Sequence, residues 1–191
     1  GFINAGAYAS AAGGVLTLRA DTLQLLGAVG AGVSGLFNGT IDIAPRMAGR
    51  AVVIGGFDAA ALSLTAADVF RLYAIDIAIG GSGALTVAGA TSLLNGVETV
   101  LLRGGGITLD GVFTLPTSGG VLTLNAASGD IVQNGGAVIA PTLIATAQDG
   151  SVLLDGSLAL NQVGRLSGSV GTGETFAFRG AGSYVIAAPG I

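Results

Sequence analysis

The 191-residue chain contains no Cys, no His, no Lys and no Trp. Without Cys there are no disulfides and no thiolate metal sites. Without His, Cys or Lys, many general-base, nucleophile and metal constellations are excluded. The sequence therefore implies no cofactor, and no catalytic, cofactor-binding or metal-binding residue is assigned. Charge is scarce too, at 9% of residues against about 25% in an ordinary globular domain. Seven Arg stand singly, at Arg19, Arg46, Arg50, Arg71, Arg103, Arg165 and Arg179, and the net charge is −4. There is no basic stripe, so nucleic acid and anionic lipid are not expected partners. No apolar run reaches the ~20 residues of a membrane-spanning helix. Aromatics are only 5%, too few for the girdles of a transmembrane barrel. The first ten residues show no basic segment of a signal peptide.

What remains is apolar and rich in glycine. Hydrophobic residues are 51% and Gly 35 of 191, which excludes disorder and points to a core of Val, Leu, Ile and Ala. Short alternating runs recur: VLTL at 15–18, YAIDIAI at 73–79, ALTV at 84–87, VLTL at 121–124 and TLIATA at 142–147. Alternation with β-branched residues reads as strand, with every second side chain directed inward. Asn38-Gly39, Asn95-Gly96, Asp110-Gly111, Asn134-Gly135, Asp149-Gly150 and Asp155-Gly156 are turn dipeptides between them. Helix signals are weak. Only AAALSLTAADVFRLY at 59–73 has helical composition, with Asp68 and Arg71 at i, i+3. Its LSLT alternates, so strand–turn–strand is favoured there, with room for one helical turn near 66–70.

GGVLTL occurs unchanged at 13–18 and 119–124, and SGALTV at 82–87 is a degenerate copy. These separations fit about five, three and two units of roughly 18–23 residues, the solenoid range. In a solenoid, coils stack at ~4.8 Å with strand over equivalent strand, and Gly turns the corners. The expected fold is all-β: a right-handed parallel β-helix, a single-stranded β-solenoid of about nine coils over residues 1–191. An antiparallel β-sandwich or barrel is the alternative, because Asn-Gly turns would also suit hairpins.

The string GGVLTLNAASGDIVQNGGAVIAPTLIATAQDGSVLLDG at 119–156, with LALNQVGRLSGS at 158–169, carries a resemblance. It resembles the repeat region of filamentous-haemagglutinin-like adhesins and β-strand-repeat autotransporter passengers. The matched phrase includes Leu122, Leu124, Ala126, Gly129, Ile131 and Gln133, then Gly135, Gly136, Ile139, Ala140 and Leu143, then Ala147, Gly150, Val152, Leu154 and Gly156. One extra Ser, in Ala127-Ser128-Gly129, departs from it. The resemblance implies a parallel β-helix exported across an outer membrane with the help of an outer-membrane transporter, working as an adhesin or its stalk. No Asn-Pro occurs, so the segment does not resemble the secretion domain of such proteins; it resembles shaft.

Few side chains are left to carry recognition. Phe37 and Asn38 beside Gly39, and Phe57 and Asp58 beside Gly55-Gly56, are the candidate exposed contact loops. Phe176 and Phe178 share one strand face and are expected in the core. Asp130, Asp149 and Asp155, with Arg103 or Arg165, are the residues an acidic-polysaccharide enzyme would use; as Asp-Gly pairs they read more simply as turns. GGSG at 80–83 opens a calcium-repeat phrase, but Leu85 stands where its Asp belongs. GGG at 104–106 lacks the Lys and helix of a phosphate loop.

The sequence thus predicts a non-enzymatic structural and adhesive shaft of a secreted or surface-displayed bacterial adhesin, part of a longer repeat protein. Its partners would be flanking coils or neighbouring copies end to end, and surface glycans or proteins. A self-assembling extracellular filament subunit and a polysaccharide-processing β-helix enzyme are the alternatives.

Overall fold

Alternation decides the fold. In the strand Val121–Ala126, Leu122, Leu124 and Ala126 are fully buried, while Val121, Thr123 and Asn125 stay in partial contact with solvent. The computed structural model describes residues 2–3, 8–9, 13–32, 38–156 and 160–188, the first two pairs as backbone only. It shows this pattern stacked on itself as a β-solenoid. Leu16, Ile41, Ile77, Val100, Leu122, Leu143 and Leu166 stand in direct register, one per coil. Each full burial of such a side chain is worth roughly 2 kcal/mol. Every strand pair among the described residues is parallel, which excludes the antiparallel sandwich or barrel.

Each regular coil has three faces. The long face holds Val15–Arg19, Thr40–Ala44, Asp76–Gly80, Thr99–Gly104 and Val121–Ala126, and continues through 142–147 and 165–169. The short face holds Val52–Ile54, Leu85–Val87, Ile107–Leu109, Ile131–Gln133, Val152–Leu154 and Phe176–Phe178. A third face runs through Thr91–Ser92, Phe113–Thr114 and 138–140. Phe113 is fully buried, and Phe176 and Phe178 are half-buried against the same core.

The corner between short and third faces is built from glycine for a steric reason. A Cβ on Gly89 would come 2.4 Å from the Gly55 carbonyl oxygen, one on Gly111 2.4 Å from Gly89, and one on Gly136 2.0 Å from the Gly111 oxygen. The four corners touch backbone to backbone, so no other residue fits between them.

Among the described residues the stack makes seven turns from Val15 to Val185, rather than nine. Val15, Thr40, Asp76, Thr99, Val121, Thr142, Arg165 and Val185 are successive long-face equivalents, spaced 25, 36, 23, 22, 21, 23 and 20 residues apart. The identical GGVLTL phrases both lie on the long face, four turns apart rather than five. SGALTV leads into Leu85–Val87 on the short face, so it is not their equivalent. The 36-residue turn accounts for the extra unit counted between the two phrases.

That turn departs from the others. After Val52–Ile54 the chain crosses over in residues 55–61 and lays Leu62–Leu64 parallel to the strand it has just left, Val52 opposite Leu62. Parallel neighbours usually need a connection of about a dozen residues or more. This shorter one runs over the outside of the sheet, so Val53 and Ser63, which point outward, are nevertheless buried. A single helical turn, Ala66–Val69, follows, and Leu72–Tyr73 then pairs with Val29–Ala31. The 59–73 stretch is therefore strand, helical turn and strand.

Candidate functional site

The crossover is pinned rather than loose. The Arg50 guanidinium donates to the carbonyl of Ala59 at 3.2 Å. The Ser63 hydroxyl accepts the Asp58 N–H at 2.9 Å and donates to the Asp58 carbonyl at 3.0 Å. The Asp58 carboxylate accepts the Ala60 N–H at 2.8 Å, closing an Asx turn. On this fixed loop the Phe57 side chain is 81% exposed, and Asp58 is exposed beside it.

The helical turn is anchored by a capping box. Thr65 Oγ1 accepts the Asp68 N–H, and the Asp68 carboxylate accepts the Thr65 N–H at 2.9 Å. Asp68 is only 4% exposed and its second oxygen accepts the N–H of Leu25, in the coil before, at 2.9 Å. Arg71 donates to the Leu25 carbonyl at 2.6 Å and lies 3.8 Å from Asp68.

Between these two anchored pieces and the preceding coil lies a groove of about 600 Å³. It exists because the short-face sheet ends at Leu62–Leu64. The Leu62 N–H goes to Ala51 and the Leu64 carbonyl accepts from Gly55, so both residues face the strand above. Strand alternation then turns the N–H and C=O of Ser63 to the opposite edge, into the groove. Phe57, Asp58, Gln24 and Arg71 are among the residues that line it. A second hollow, of about 530 Å³ around Pro116 and Pro141, has no charged or aromatic side chain in its lining.

Of the four predicted contact residues, Phe57 and Asp58 sit together on this groove. Asn38 is exposed elsewhere, its side chain against Gly32. Phe37 lies outside the described residues. Sequence reasoning did not find the links from Asp68 and Arg71 to Leu25, or the role of Arg50. Thr65-Ala66-Ala67-Asp68, a capping-box spacing, signalled the helical turn but not its links to Leu25.

The polar residues weighed for chemistry divide between two corners and the long face. Asp130 and Asp149 occupy corners between long and short faces, and Asp155 a corner between short and third faces. Asp130 accepts the Ser151 N–H of the next coil at 2.8 Å. Arg103 is on the long face and pairs with Asp42 at 2.5 Å, where Arg19 also binds at 2.5 Å. Arg103 crosses an intervening coil to do so. It passes over Gly80, whose φ is +128° and where a Cβ would come within 1.8 Å of the Arg103 carbonyl oxygen. Asp155 therefore stands at a different corner from Asp130 and Asp149, and Arg103 is engaged with Asp42. Among the described residues no three acidic side chains converge as a metal site would need, and no helix is long and apolar enough to cross a membrane.

No known protein family matches the chain, and no curated protein or solved structure matches it.

Proposed function

We propose that the chain is the structural and adhesive shaft of a secreted or surface-displayed bacterial adhesin, mediating attachment to cells or surfaces. The observation that carries this reading is the in-register stack of seven turns, interrupted once, where the interruption forms a lateral groove with an exposed aromatic ring. Stacked backbone hydrogen bonds make a stiff rod, and its loops and lateral faces are what a partner meets. The resemblance of residues 119–169 to exoprotein repeats adds an extracellular location and export through an outer-membrane transporter.

A second reading, a self-assembling filament subunit, is favoured by one observation. Val185 and Ile186, on the last long-face strand, are 60% and 50% exposed. Such an edge fits a flanking coil of the same longer protein or a neighbouring copy end to end.

Surface display tests the first reading. The 191 residues, fused to an export domain on a non-adherent bacterial host, should increase retention on cell monolayers under flow. Retention equal to that of the bare host ends it. Electron micrographs of the purified chain test the second, which requires fibres; a strictly monodisperse monomer excludes it.

A further inference from the structure

We propose that the groove beside Phe57 binds a saccharide, with the apolar face of a sugar ring on Phe57 and the sugar hydroxyls on the groove walls. This deepens the adhesive reading and rests on it only for where the ligand is met.

Three observations point to this class of ligand. The groove, at about 600 Å³, has the volume of a small-ligand site. Its aromatic ring is presented on a backbone held by Arg50 and Ser63, so the 81% exposure of Phe57 belongs to an ordered platform. Its walls offer donors and acceptors side by side: the Ser63 peptide group on the open sheet edge, the Gln24 amide, the Asp58 carboxylate and the Arg71 guanidinium. A sugar hydroxyl both donates and accepts, and its ring carries an apolar face, so it matches both halves of this surface.

Other ligand classes fit less well. Asp58 and Asp68 outnumber Arg71, which disfavours a phosphate or a polyanion. The charged Asp58 and Arg71 in its lining disfavour a lipid tail. The open edge is only the three residues Leu62–Leu64, with one peptide group turned outward, too short to hold an added peptide strand.

The test is a titration of the isotope-labelled 191-residue protein, followed by backbone amide resonances. The probes are cellobiose, lactose, N,N′-diacetylchitobiose, a uronate-containing disaccharide and an extended Val-Thr peptide, each added alone. At least one saccharide should shift the amides of Phe57, Asp58 and Ser63. Phe57→Ala should weaken that binding about tenfold and Phe57→Trp should keep it. Asp149→Ala, at a distant corner, should leave it unchanged. The proposal is overturned if no saccharide shifts these amides, if Phe57→Ala binds as well as the parent, or if only the peptide shifts Ser63. Adhesion by the displayed chain without any saccharide shift sinks the site and leaves the adhesive reading intact. A saccharide bound in the groove without adhesion supports the site and sinks that reading.

Discussion

The Asp68 carboxylate and the N–H of Leu25 meet at 2.9 Å across 43 residues of sequence. Arg71 completes the contact by donating to the Leu25 carbonyl at 2.6 Å. Leu25 belongs to the strand Gln24–Leu25, which pairs on one side with Phe2–Ile3. On its other side no strand among the described residues pairs with it. Two side chains take that place, one accepting and one donating as a neighbouring peptide would. The solenoid thus crosses a gap in its own sheet with an ion pair.

Removing Asp68 should loosen that joint before it affects the rest of the rod. Asp68→Ala leaves the N–H groups of Leu25 and Thr65 and the Thr65 hydroxyl without their acceptor. The expected cost is about 3 kcal/mol, concentrated in the helical turn and residues 24–31. Hydrogen exchange should show the Leu25 amide losing protection while Leu122 and Leu143 keep theirs. Uniform loss along the chain would mean that the joint is not a separate unit.

Gly111→Ala should be costlier than its size suggests. The added carbon would lie 2.4 Å from Gly89 backbone atoms, and those neighbours belong to a coil that is itself stacked. Backbone cannot yield as a flexible side chain does, so we expect roughly 2–3 kcal/mol of destabilisation. Gly119→Ala is the comparison, since a Cβ there meets nothing within 4 Å and only the φ of +82° opposes it. Thermal unfolding followed by circular dichroism should rank Gly111→Ala well below Gly119→Ala.

These contrasts show what the sequence disclosed and what it hid. A narrow solenoid core accepts every second side chain, so the period-two runs around Leu16, Leu122 and Leu143 marked the long face directly. Gly55 and Gly111 stood out as punctuation, and the corners they form leave no room for a Cβ. The number of coils was not legible, because the chain doubles back at Leu62–Leu64 and one turn takes 36 residues. Phe57 and Asp58 were visible as a Gly-flanked loop. The groove they border was not, since it depends on where Gln24 arrives from the preceding coil and on where the helical turn places Arg71. Asp68 and Arg71 looked like an ordinary i, i+3 pair, and nothing local pointed to Leu25.

The charge cluster on the long face should matter less than its short distances suggest. Asp42 binds Arg19 and Arg103, but the Arg side chains remain 41% and 33% exposed. Water and salt screen such pairs, so Asp42→Ala should cost about 1 kcal/mol or less. Part of that cost is repulsion between the two guanidinium groups left facing each other, so it should shrink as salt is added. Denaturant midpoints of parent and Asp42→Ala, compared at low and high salt, would show this. A loss several times larger, insensitive to salt, would make the cluster a structural keystone.

Asn161 should be far less tolerant, although it is neutral. It is completely buried. Its Nδ2 donates to Gln133 Oε1 at 3.0 Å and to the carbonyls of Leu154 and Arg179 at 2.9 and 3.1 Å, while its Oδ1 accepts the Val138 N–H at 2.8 Å. One amide therefore ties three successive coils together across the corner between short and third faces. Asn161→Asp keeps the shape and removes every donor. An oxygen would then face three oxygens in a site without solvent, and the expected cost is about 3 kcal/mol or more. Because coils contact only their neighbours, the damage should fall on residues 152–186 and leave the first four turns protected. Circular dichroism melting together with residue-resolved hydrogen exchange would check both statements. A melting point within about one degree of the parent would show that the corner repacks without its amide.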